Sequence, residues 1–300
     1  MLFVAGCLVP WADSHAGLHN PDTLVIGKIS HNPKKHYQYL KPMVKYAAAQ
    51  MRDLGITKIK VRLARSKEHL ADLLQRGEVD WVTETPVAAA YLHDAAGAEI
   101  LLRKWKKGVP EYHSVFFALT GQGIESLTDL KGKVIALEDP ASTSAFYYPA
   151  HTLIENGMRL VKLGNIRDKA PDDAVGFVFT GEEINIATLV HKGIVDAGAF
   201  SSDDWNKEDH LPLKYRQGFT VFHRTPKLIR AVELVRKDLD PAIRKRLERV
   251  LLEADEKPSA ASILRAYQRT RKFDRLSKEQ QEAVYALRHV MQAVDKVVAW

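Results

Sequence analysis

One cysteine in 300 residues, Cys7, rules out a disulfide frame, a cysteine-rich metal cluster and thiol chemistry elsewhere in the chain. After residues 2–10, no apolar run is long enough for a membrane helix. No Gly-x-Ser-x-Gly elbow, His-Glu-x-x-His pair, Walker loop or Gly-x-Gly-x-x-Gly is present. The twelve histidines are scattered, and His31 and His36 lack metal-helix spacing. Neither a metal nor a cofactor has a positive signal, and no enzyme is expected. Basic clusters such as Lys34-Lys35, Arg103-Lys104-Trp105-Lys106-Lys107 and Arg244-Lys245-Arg246 do not alternate with aromatics in a stripe. The net charge of +7 therefore reads as a solvated surface with a mild pull on small anions, not as a nucleic-acid interface.

What is there suits a soluble α/β protein: 46% apolar residues, enough for real cores, and 27% charged. The front end reads as the tail of a secretory signal over 1–16, with Ser14-His15-Ala16 as a small-x-small cleavage site. Val4-Ala5-Gly6-Cys7 also resembles a lipoprotein box that would anchor the mature protein through Cys7. From Thr23 onward, short apolar strands alternate with amphipathic helices. Strands are expected at 23–30, 58–64, 79–83 and 98–105, with helices from Tyr37, Ser66 and Thr85-Pro86, and His31-Asn32-Pro33 as a turn. A second series includes strands at 114–119, 132–136, 176–179, 195–200, 215–223 and 229–235. Helices then cover 241–254, 259–267 and 278–297. This βα alternation predicts largely parallel sheets. Two lobes joined by crossings near 108–114 and 218–224 fit the order better than one sheet. The first lobe takes 17–110 and 221–300, the second 111–220.

The most informative stretch is Leu137-Glu138-Asp139-Pro140-Ala141-Ser142-Thr143-Ser144-Ala145-Phe146. Asp-Pro ends a strand and Ser or Thr caps a helix running from Ala145 to Glu155. Such a helix start can hold an oxyanion with backbone N–H groups and hydroxyls, without any Lys or Arg. It can equally be an ordinary cap. Its company favours a ligand: loops at strand ends are where open α/β sheets bind. Ser30-His31, Thr85, Ser142–Ser144, Glu183 and Asp204 all lie in such loops, and Tyr112 sits at a crossing.

Asp139-Pro140-Ala141-Ser142-Thr143-Ser144 is similar to the Asp-Pro-x-Ser-Thr-Ser motif of the periplasmic phosphonate-binding proteins of ABC importers. Gly77-Glu78-Val79-Asp80, Tyr112-His113-Ser114, Gly132-Lys133-Val134 and Gly193-Ile194-Val195-Asp196 agree with that resemblance. It implies a type II periplasmic-binding-protein fold that closes on its ligand, two crossover strands, a helical C-terminal tail, and no turnover. It also implies that Ser142, Thr143 and Ser144 grip phosphonate-type oxygens. Tyr112 supplies a hydroxyl, and Asp204 accepts from a P–OH group or pairs with a ligand amine. Glu183 stands where such proteins often carry a histidine, and a carboxylate beside a dianion repels it unless protonated. The expected partners are a small oxyanion (phosphonate, phosphite or phosphate-like) and ABC permease subunits, or alternatively a membrane sensor kinase. A periplasmic monomer is expected.

Overall fold

The computed structural model describes residues 21–298; the signal-sequence and Cys7 readings lie outside them. Two six-stranded sheets form the framework. The first runs in the order Phe273–Asp274, Glu99–Lys104, Val232–Val235, Trp81–Glu84, Thr23–Ile29, Lys58–Ala64. The second runs Phe219–Arg224, Ser114–Leu119, Ala197–Ser201, Val134–Leu137, Ala174–Phe179, Arg159–Lys162. Parallel pairs join Thr23–Ile29 to Lys58–Ala64 and Trp81–Glu84 in the first sheet, and Val134–Leu137 to Ala197–Ser201 and Ala174–Phe179, and Ala174–Phe179 to Arg159–Lys162, in the second. Val232–Val235 is antiparallel to both its neighbours, and so is Ser114–Leu119. The sheets are therefore mixed: each receives strands that arrive by a lobe crossing or a hairpin, not by a helical crossover.

Between the sheets, Glu111–Tyr112 and Leu228–Ile229 form a two-stranded antiparallel ribbon. It is fastened by Ser114 N–H donating to Thr225 Oγ1 at 2.9 Å and Arg230 N–H to Pro110 O at 2.9 Å. The return crossing starts later than 218–224. Phe219–Arg224 pairs with Ser114–Leu119 as far as Arg224 opposite Val115, so the chain leaves the second sheet only at Thr225.

Helices cover the sheet faces. Pro33–Ala49 packs Leu40, Met43, Val44 and Ala47 into one core of the first lobe, with Leu247 and Leu251 of Pro241–Leu252. Lys67–Gln75 and Pro86–Ala96 fill the other. A polar knot sits inside the first lobe. Lys104 and Glu233 are fully buried 3.6 Å apart, and Glu233 also accepts from Tyr267 OH at 3.1 Å.

The helical tail divides. Lys278–Ala286 packs on Pro86–Ala96, whereas Arg288–Val297 sinks Val290, Met291 and Val294 into the second-lobe core beside Leu153 and Phe116. The last helix thus touches both lobes. Lys67 reaches its Asp295 at 2.6 Å, and Tyr147 OH donates to the same carboxylate at 3.1 Å.

Several local expectations shift for identifiable reasons. Asn32 is a cap, accepting from Lys35 N–H at 3.2 Å with Pro33 at the first helical position, so the helix starts where a turn was expected. Leu213–Arg216 is a helical turn, leaving only Phe219–Arg224 as strand. Arg159–Lys162 is too short and too polar to stand out in sequence, yet it adds an edge strand.

Candidate functional site

The strand Val134–Leu137 runs into a loop shaped by its own side chains. Asp139 Oδ1 accepts from Ala141 N–H at 2.7 Å, and Ser142 Oγ accepts from Ala145 N–H at 3.2 Å. The chain does not pass directly into α-helix. Thr143–Tyr147 forms a wide π-turn, and the α-helix begins at Tyr148. Wide turns of this kind often mark functional positions. Here it sets Ser142, Thr143 and Ser144 along the wall of an interlobe cavity of about 610 Å³. Thr85, at the start of Pro86–Ala96 in the first lobe, lines the same cavity. The two helix starts meet there: Val87 N–H donates to Thr143 Oγ1 at 3.3 Å. Thr85 Oγ1 is buried without a hydrogen-bond partner among the described residues.

Tyr112, His31, Glu183 and Asp204 also line the cavity. Tyr112 is 2% exposed, and burial pushes its phenol up to about 12. Its hydroxyl lies beside Ser144 and Thr143 without forming a hydrogen bond of normal geometry with a described residue. Ser30 does not line the cavity. It lies behind, 2.7 Å from His36 Nδ1, and positions that ring at the wall.

The structure corrects the expectation of a site without cations. Lys28, Lys106, Lys107 and Arg230 all reach the cavity. Arg230 is 4% exposed, pairs with Asp203 at 3.2 Å and lies 4.4 Å from the Tyr112 ring centroid. Lys28 pairs with Glu84 at 3.2 Å. Lys106 makes no side-chain hydrogen bond or ion pair with a described residue. Burial, with Arg230, Lys28 and Lys107 around it, holds its ammonium well below the usual lysine range. Burial and the charges of Lys28 and Lys106 likewise bring His36 down to about 3. An anion beside Lys106 would relieve both groups.

The second-lobe side is acidic. Asp204 lines the cavity, but its oxygens are already engaged. Lys107 donates to one, Ser201 Oγ donates to the other, and His210 Nδ1 lies 2.9 Å from the first. Burial alone would raise its carboxyl; the close approach of His210 and the charge of Lys107 instead hold it well below the usual range. Burial and the Asp204 charge raise Glu183, which sits 3.4 Å from His210. Burial and Glu183 raise Glu138 well above the usual range. A proton on Glu138 or Glu183 converts a repulsive neighbour of an anion into a donor. Glu183, Asp204 and His210 bring ligand-type atoms within 4.8 Å of one another. Lys107 already pairs with the shared Asp204 oxygen, so the trio belongs to a network of charge contacts.

Sequence reasoning missed Lys28, His36, Lys106, Arg230, Glu138 and His210. For two of them a signal existed. Lys28 and Arg230 sit inside otherwise apolar strand runs, where a charge is retained only with a partner.

The family model described as "ABC transporter, phosphonate, periplasmic substrate-binding protein" matches residues 30–280. This chain belongs to that family. XAC2383 of Xanthomonas citri is 35% identical in its chloride-bound structure, covering 92% of this chain and 99% of that one, with a TM-score of 0.87. Its ATP-bound structure gives 34%, 93%, 100% and 0.87. The phosphate-import protein PhnD of Mycolicibacterium smegmatis is 37% identical over 92 residues, a match spanning 27% of that relative's length. PhnD1 of Prochlorococcus marinus, solved with methylphosphonate, shares the fold at 19% identity, with a TM-score of 0.69 over 91% of this chain and 100% of that one. The architecture is that of the type II periplasmic binding proteins. No helix among the described residues is long and apolar enough to cross a membrane.

Proposed function

We infer that this chain captures a small phosphorus oxyanion (phosphonate, phosphite or phosphate-like) between its lobes and passes it to the permease of an ABC importer in the inner membrane. The carrying observation is the meeting, in one cavity, of the Ser142–Ser144 turn from the second lobe with the unpartnered Tyr112 hydroxyl, Thr85 hydroxyl and Lys106 ammonium. Buried donors without acceptors are costly, and an anion with several oxygens satisfies them together. Because the donors come from both lobes and the hinge ribbon, the ligand favours the closed arrangement over any open one. The ATP held by the Xanthomonas relative supports a phosphoryl group as the recognised element.

Hydrogen bonds from neutral groups, supplemented by Lys106 and Arg230, would select for shape and protonation state. Glu138 and Glu183 add a further selection, favouring a protonated oxyanion or one that carries an ammonium group. The test is a thermal-shift screen of the purified protein across phosphate, phosphite, methylphosphonate, an aminoalkylphosphonate, sulfate and arsenate. A rise in melting temperature with at least one phosphorus anion, larger than that with sulfate, supports the reading. No rise with any of them contradicts it.

A further inference from the structure

The chain has three non-glycine residues with positive φ among those described: Lys107 at 57°, Gln268 at 58° and Arg269 at 54°. L residues adopt this backbone at a cost, and such strain collects where ligands are clamped. All three line the interlobe cavity. They belong to two turns, at 105–108 and 267–270, that are tied together: Lys107 N–H donates to Gln268 O at 3.1 Å, and Lys104 Nζ donates to Gln268 Oε1 at 2.8 Å. The double turn places Lys106 on the inner wall and Arg269 on the rim, with Arg265 and Lys35 beside the same opening. Arg265, Arg269 and Lys35 are exposed, and none of their side chains makes an ion pair with a described residue. A cavity of about 610 Å³ lies in the range of about 300–1,000 Å³ that holds ligands far larger than one phosphoryl group.

We propose that Arg265, from the helix Ala261–Ala266, and Arg269, on this strained double turn, together form a second anion subsite at the rim, and that the site takes oligophosphates: molecules with two or more linked phosphoryl groups. This rests on the reading above, in which one phosphoryl group occupies the Ser142–Ser144 turn. The second group lies outward along the first-lobe wall. The second-lobe wall opposite carries the carboxylates Glu138, Asp139, Glu182, Glu183, Asp204 and Asp209; burial raises the proton affinity of Glu138 and Glu183, which reduces the repulsion those two exert. Arginine suits the outer position because its planar fork holds phosphoryl oxygens in pairs.

The experiment is calorimetric titration of the full chain with inorganic phosphate and with pyrophosphate at physiological salt, repeated on the Arg265→Gln/Arg269→Gln double variant. Both residues are exposed, so the fold is expected to persist, and circular dichroism checks it. Pyrophosphate should bind at least about tenfold more tightly than phosphate, equivalent to roughly 1.4 kcal/mol. The double variant should lose most of that advantage while its phosphate affinity stays within about twofold, a change below roughly 0.5 kcal/mol. Phosphate binding with no advantage for pyrophosphate, or an advantage that survives in the double variant, overturns the second subsite and leaves the inner site standing. Binding of neither anion overturns the underlying reading and the subsite with it.

Discussion

Replacing Tyr112 with phenylalanine should move the free protein and its complex in opposite directions. The Tyr112 hydroxyl is buried, its residue is 2% exposed, and although Ser144 and Thr143 lie beside it, no hydrogen bond of normal geometry forms with a described residue. In the free protein that hydroxyl is desolvated for nothing, a cost of about 1–3 kcal/mol for a buried unsatisfied polar group. The ring itself supports Arg230, whose guanidinium lies 4.4 Å from the ring centroid, and phenylalanine keeps that contact. Tyr112→Phe should therefore leave the unliganded protein as stable as the parent or more so, by up to about 2 kcal/mol. The ligand meets the opposite effect. A hydrogen bond to a charged acceptor contributes roughly 1.5–3 kcal/mol, so methylphosphonate or phosphate should bind about 10–100-fold more weakly. Urea denaturation without ligand gives the first quantity, and calorimetric titration the second. A variant that is clearly destabilised when free but binds as tightly as the parent would refute the reasoning, because the hydroxyl would then serve the fold and not the ligand.

Other expectations follow from the same site and its surroundings. Ser142→Ala with Thr143→Ala should lower the free protein's stability by about 1 kcal/mol through the lost cap and abolish most of the thermal gain from phosphorus anions; an unchanged gain would count against the turn. Glu183 has its proton affinity raised by burial and by Asp204. Its contribution to stability is thus present below the ordinary glutamate range and is lost as pH rises through its raised value. Glu183→Gln should accordingly bind anions more tightly than the parent at pH 8, with the ratio shrinking as pH falls toward 5, compared at each pH by titration; a constant ratio would contradict a titrating Glu183. Away from the site, Lys104→Met removes the counter-charge of the fully buried Glu233 carboxylate, which keeps only the neutral donors Trp81, Thr83 and Tyr267. It should cost about 3–5 kcal/mol in urea denaturation, the usual penalty for removing one partner of a buried pair.

The parts of the site legible in the sequence were those written locally. Asp139-Pro140 followed by Ser142 announces a strand stop and a cap within a few residues, and Thr85-Pro86 does the same for the facing helix. The cations were not legible as a group because they are brought together only by topology. Lys28 comes from the first strand, Lys106 from a turn after the fourth, and Arg230 from the return crossing. Each alone reads as surface charge. Sequence order places the hinge ribbon in a crossing, but strand pairing decides where a crossing ends, and Arg224 opposite Val115 holds the second sheet together past the expected point. Periodicity runs through the tail and predicts one long helix. Leu287 breaks it, and the two halves serve different cores.

The central claim is that a phosphorus oxyanion sits where the second-lobe turn, the hinge tyrosine and Lys106 converge. A crystal structure of the protein grown with methylphosphonate tests it directly. The account expects closed lobes with the phosphonate oxygens in hydrogen-bond contact with Thr143, Ser144, Tyr112 and Lys106. A phosphonate bound outside this cavity, or a closed cavity filled by protein side chains with no room for it, would contradict the account.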